Sequence, residues 1–170
     1  MSIKEQPGNT ALAVRPPQQL DPWRSMDWQR LWLSLQAKPW TALALVPGSR
    51  GAPADFTVTM AVTLARTGMT HLGAPVHVAD GTAVELARVM EFMDEIRHYQ
   101  AAGDRILIAL APVADDPIAE TLAKAADKLL LCVLFESMAF GETKRTVKKL
   151  GREHFLGSTI VRREDLSTKR

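Results

Sequence analysis

Three observations predict a three-layer α/β domain with a mostly parallel central sheet. Five short runs have the length of buried strands: Leu43–Val46, Val76–Asp80, Arg105–Ala111, Leu129–Phe135 and Leu156–Val161. Segments with the apolar spacing of helices separate them, the pattern of strand–helix–strand units. The run Leu129–Phe135 is apolar at every position, as expected of a strand whose sheet is covered by helices on both faces. With 170 residues the chain suits one domain.

Residues 1–22 carry Pro7, Gly8, Pro16, Pro17 and Pro22 without periodic apolar positions, and read as a flexible leader. The domain is expected over 23–163, with a polar tail over 164–170. From Trp23 to Gln36, Trp28, Leu31, Trp32 and Leu35 recur at helical spacing. This amphipathic helix has two readings. It packs against the domain, or it offers Trp23, Trp28, Arg30 and Trp32 as a docking surface, since Trp and Arg are favoured interface anchors.

Pro39 separates that helix from the first strand. Asp55 is the expected N-cap of the next helix, whose stripe of Phe56, Met60 and Leu64 ends at Gly68. Residues 69–75 connect to the second strand. Thr82 and Glu85 have the spacing of a capping box, which places a helix start just after Asp80. Its core stripe would be Val84, Ala87, Met90, Met93 and Ile96. Asp116 with Pro117 signals the start of a short Ala-rich helix. Gly141 and Gly151 bracket a helix with Lys148 and Lys149 near its end, where cations suit the helix dipole.

Composition excludes several classes. Hydrophobic content of 46% with 24% charged residues is that of a globular protein. The single cysteine, Cys132, rules out a disulfide framework and sits in an apolar run, as an inert buried thiol does. No apolar stretch approaches the ~20 residues of a membrane span. The N-terminus lacks the basic-then-apolar plan of a signal peptide, so a cytoplasmic location is expected. His71, His77, His98 and His154 are scattered without ligand spacing, so no metal site is expected. Ser49 has no nucleophile elbow. Asp115-Asp116 suits helix capping better than acid–base work.

Charge is uneven. Residues 39–141 hold 7 basic and 12 acidic groups, whereas residues 142–170 hold 9 basic and 4 acidic. The basic C-terminal part is a solvated helix face or a contact for acidic lipid or a partner. It lacks interleaved aromatics, so no specific nucleic-acid partner is expected.

The stretch Leu43–Gly68 organises the chain: a buried strand, a loop of Pro, Gly and Ser, then an apolar helix. That layout holds a phosphate in P-loop proteins, where loop N–H groups and a helix N-terminus converge on one anion. A P-loop reads G-x-x-x-x-G-K-[ST]. With the register set from Gly68, its Lys and Ser positions fall on Pro53 and Ala54. Gly48, Ser49, Arg50 and Gly51 remain as an anion nest carrying one cation, or as a structural turn.

Five strings in order, MDWQRLWLSLQ, TMAVTLARTG, VHVAD, RILIALAPVADDPIAETLAKAADKLLLCV and GREHFLGSTIVR, resemble the cytoplasmic ATPase domain of bacterial tyrosine autokinases of the CpsD/CapB type. These belong with the MinD/ParA-like P-loop ATPases and work in capsule and exopolysaccharide synthesis. The likeness spans Trp23 to Arg163 and implies a P-loop NTPase-like fold. It also implies where the chain departs from the family. Beyond Pro53 and Ala54, the strand carboxylate that completes metal binding falls on Ala109, and only the second-strand carboxylate persists, as Asp80. The family's C-terminal tyrosine run is missing; the one tyrosine is Tyr99. The ring-forming E-x-x-R-x-x-R pattern survives in part as Asp27, Arg30 and Leu33.

The resemblance therefore implies a non-catalytic interaction or regulatory protein of exopolysaccharide or capsule biosynthesis, with no catalytic residue and no resident cofactor. ATP and Mg²⁺ are not expected, and the degenerate loop residues are Gly48, Ser49, Arg50, Gly51 and Asp80. The implied partner is a protein of a polysaccharide synthesis or export system, with a membrane adaptor and a homo-oligomer both open. Two alternatives stand: a nucleotide binder with a non-standard phosphate loop using Arg50, and a MinD/ParA-like positioning protein.

Overall fold

A computed structural model describes residues 21–167; most of the expected leader and the last three residues of the expected tail lie outside them. Five strands form one sheet: β1 (Ala42–Pro47), β2 (Val76–Gly81), β3 (Arg105–Leu110), β4 (Lys128–Leu134) and β5 (Phe155–Val161). Their spatial order is β2-β3-β1-β4-β5 and every pairing is parallel. The central strand β1 is buried throughout. Its side chains alternate, Leu43 and Leu45 facing one apolar layer and Ala42, Ala44 and Val46 the other.

The first layer comes from α1 (Met26–Leu35) and α2 (Phe56–Leu72), with Trp28, Trp32, Met60 and Leu64 against the sheet. The second comes from α3 (Val89–Ala102), α4 (Pro117–Ala125) and α5 (Phe140–Leu150), through Val89, Ile96, Leu122 and Leu150. The five strands, their parallel pairing and the three layers agree with the expectation.

Several local expectations are corrected. The helix Trp23–Gln36 breaks at Ser25, whose hydroxyl oxygen accepts the Trp28 N–H at 3.4 Å and caps α1. Trp28 and Trp32 lie in the core, as does Trp40, so the packing reading of this helix holds for them and the docking reading does not. Of that expected surface only Arg30 is exposed, with Trp23 half-buried. The helix α2 does not stop at Gly68 but runs to Leu72, where Gly73, at φ 61°, supplies the left-handed residue that ends it. Gly68 instead lies beneath Trp32. A β-carbon there would sit 2.4 Å from the indole, so glycine permits the two helices to close.

The Thr82–Glu85 capping box does not form. The Asp80 carboxylate takes both the Thr82 N–H and its hydroxyl, at 3.0 and 2.5 Å. A single turn, Leu86–Arg88, then precedes α3. This later start resets the helix phase: Val89, Phe92, Met93 and Ile96 face the core and Met90 is 63% exposed. Asp55 precedes α2 without a side-chain cap bond. Asp116 does cap α4, accepting the Ile118 N–H at 2.9 Å. Within the stretch read as a tail, α6 (Arg163–Leu166) packs Leu166 against the first layer, and the Asp165 carbonyl accepts the Trp28 indole N–H at 3.4 Å.

Candidate functional site

After β1 the chain leaves toward the α1/α2 face, whereas after β3 and β4 it leaves toward the α3/α4/α5 face. Adjacent strands whose connections diverge open a crevice at their carboxyl ends, the place where open α/β sheets bind ligands. Here the β1–α2 loop, residues 48–55, forms one wall. A cleft of about 320 Å³ lies beside it, lined by Pro47, Pro53, Ala54, Phe56, Ala111 and Pro112 among others. Arg50 is its one charged lining residue.

The loop leans on β4 and α5. Gly48 N–H donates to the Cys132 carbonyl at 2.8 Å, and the Gly48 carbonyl accepts the Thr143 hydroxyl at 3.0 Å. Ser49 is buried and its hydroxyl donates to the Ser137 carbonyl at 2.7 Å. Arg50 N–H donates to a Glu142 carboxylate oxygen at 2.9 Å. The Arg50 guanidinium meets Asp115 at 2.5 Å and the other Glu142 oxygen at 3.6 Å. The loop's cation thus faces two carboxylates of its own chain. Among the described residues, positive φ occurs only at Gly73, Gly103 and Gly151. The loop therefore lacks the alternation of right- and left-handed residues with which a nest gathers N–H groups on an anion.

The remaining expected positions divide. Pro53, which has no N–H to donate, and Ala54 line the cleft just before α2. Ala109 is fully buried in β3, facing the first apolar layer. Asp80 makes no hydrogen bond or ion pair with the loop; it binds Thr82 and lines a neighbouring cleft of about 290 Å³ with Glu85, Arg88, Glu91 and Glu95, which shares Ala83 with the first. Glu91 is held below the usual carboxylate range by its hydrogen bond from Arg88. The Cys132 thiol, beneath the loop, is pushed well above its ordinary value by burial, which leaves it protonated and inert. Among the described residues no three His, Cys, Asp or Glu gather as metal ligands, and no helix is long and apolar enough to cross a membrane.

Glu142, Thr143, Ser137 and Asp115 are the site residues that sequence reasoning missed. Their contacts to the loop span 65 to 95 positions, and no local pattern encodes them. One weak signal exists: Glu142 is an acidic residue opening a basic stretch.

Thr57, in the first turn of α2, is 1% exposed and its hydroxyl donates to the Leu110 carbonyl at 2.8 Å. This bond fixes the start of α2 against the end of β3. Thr57→Val keeps the shape and orphans that carbonyl, so unfolding in urea is expected to show a loss of about 1–3 kcal/mol.

By sequence, no protein family and no curated protein matches the chain. Among solved structures, the crystal structure of the chimerical protein CapA2B2 superposes with a TM-score of 0.64 over 80% of this chain and 83% of that one, at 12% identity. In fold the chain is similar to CapA2B2. The likeness is architectural: a three-layer α/β sandwich of the P-loop NTPase-like type, here on a five-stranded parallel sheet.

Proposed function

We propose that the chain is a non-catalytic interaction protein of a bacterial exopolysaccharide or capsule system, on the scaffold of a tyrosine autokinase. The observation that carries this reading is the Glu142 carboxylate bound to the Arg50 N–H at 2.9 Å. An internal anion takes the loop donor that a phosphate would use. Pro53 and Ala54, at the positions where the family has Lys and Ser/Thr, supply neither a cation for the phosphoryl group nor a hydroxyl for Mg²⁺. Ala109 supplies no metal carboxylate. The polysaccharide context is supported by the CpsD/CapB-like strings, and the structural relative's name, CapA2B2, carries the same Cap label. The partner is a protein of that system, such as a membrane adaptor. Exposed Met26, Arg30 and Leu33 on the outer flank of α1 are the available contact.

A second reading rests on the Arg50-lined cleft at the switch point: a nucleotide binder without standard loop chemistry. Incubation with γ-labelled ATP and Mg²⁺ tests catalysis. The expected result is no label on the chain and no phosphate release above the blank; label on Tyr99 would refute the non-catalytic reading. Two-hybrid pairing with products of neighbouring genes tests the context. Pairing with a polysaccharide export component that is weakened by Arg30→Glu is expected, and pairing with division or partition proteins instead would contradict it.

A further inference from the structure

We propose that the outer face of α5 docks directly on an anionic phospholipid bilayer. Lys144, Arg145 and Lys148 of α5, and Arg152 in the turn just beyond it, are exposed, and among the described residues none of the four has a carboxylate partner. The element sorts its cations. Lys149 turns to Glu120 of α4, 3.0 Å away, and lies 3.2 Å from the Val113 carbonyl, while Thr146 and Leu150 are buried. Lys144 and Lys148, four apart, share one flank of the helix.

Of the acidic groups nearby in sequence, Glu142 holds Arg50 and Glu164 meets Arg162. Glu136, which accepts the Arg163 backbone N–H, and Glu153 keep their charge, but four unpaired cations outnumber them. The free charge of this side is positive.

Phe140 lies one turn before Lys144 on α5, and further apolar groups are exposed at the carboxyl end of the sheet, where α5 begins. Phe140, the first residue of α5, is 79% exposed, Ile160 is 61% exposed and Phe135 is 53% exposed. Ile160 pairs with Val133 at the carboxyl end of the sheet, where Phe135 follows β4. Arg162 lies over the Phe135 ring at 5.4 Å. An acidic polypeptide would match the cations yet leave these apolar groups in water. A bilayer interface takes both, phosphates meeting the cations and the upper acyl region receiving the aromatic rings. The contact is separate from the protein partner proposed above.

Co-sedimentation with vesicles of phosphatidylglycerol and phosphatidylcholine, against pure phosphatidylcholine vesicles, tests this. Binding to the anionic vesicles alone is expected, weakening as salt rises and falling about fivefold for each cation removed in Lys144→Gln and Lys148→Gln. Phe140→Ala should lower it further, with circular dichroism confirming that each variant is folded. Equal binding to both vesicles, binding unchanged in the Lys variants, or no vesicle binding would overturn the proposal. So would capture by polyglutamate or duplex DNA in place of vesicles.

Discussion

Trp32→Ala is expected to cost about 3–5 kcal/mol of stability, among the largest effects of any single substitution in the domain. The indole is 1% exposed between α1, α2 and the sheet. It meets Trp40 edge-on, with ring centroids 5.8 Å apart at 78°. The Arg105 guanidinium covers the pair, 4.6 Å from Trp40 and 5.9 Å from Trp32, while hydrogen-bonding Gln36. Burial lowers the Arg105 pKa, so removing the ring also strips a cover from a partly desolvated cation. Around 150 residues, each kcal/mol moves the melting temperature by roughly 2–4 °C. Thermal unfolding followed by near-ultraviolet circular dichroism reads the loss. A change under about 1 kcal/mol would mean that α1 is not held by this ring.

The companion substitution, Gly68→Ala, is expected to reverse a familiar sign. In a helix interior alanine is normally better than glycine by about 1 kcal/mol. Here the added β-carbon would meet three Trp32 ring carbons at 2.4, 2.6 and 2.7 Å, inside contact distance. The atoms it strikes belong to a rigid indole packed in the core, so α1 must move outward. Overpacking of this kind costs about 1–3 kcal/mol, and Gly68→Val should cost more. In a Trp32→Ala background the clash is absent, and Gly68→Ala should become neutral or stabilising. A double-mutant cycle in urea measures that coupling, and additive losses would show that the two residues do not meet.

The same pair explains what the sequence leaves hidden. Strand runs such as Leu129–Phe135 are legible because burial on both faces demands an unbroken apolar run, and Asp116-Pro117 is legible because capping is local. Gly68 reads as a helix stop because glycine usually is one; its actual task is set by a tryptophan 36 positions earlier. Thr82 and Glu85 have capping spacing, yet Asp80, two residues back, binds Thr82 first. Trp28 and Trp32 have the composition of an interface anchor, and only the closure of α1 on α2 decides that they are core. The strand–loop–helix unit of the site was visible from Leu43 onward. The Glu142 carboxylate that meets Arg50 was not, because it arrives from 92 residues away.

With the Glu142 carboxylate on the Arg50 N–H and neither Lys nor hydroxyl at Pro53 and Ala54, we propose that this loop no longer grips a triphosphate. Calorimetric titration of the intact protein with ATP and Mg²⁺ tests it most directly. No saturable heat is expected up to millimolar nucleotide. Saturable binding in the micromolar range, abolished by Arg50→Ala, would contradict it.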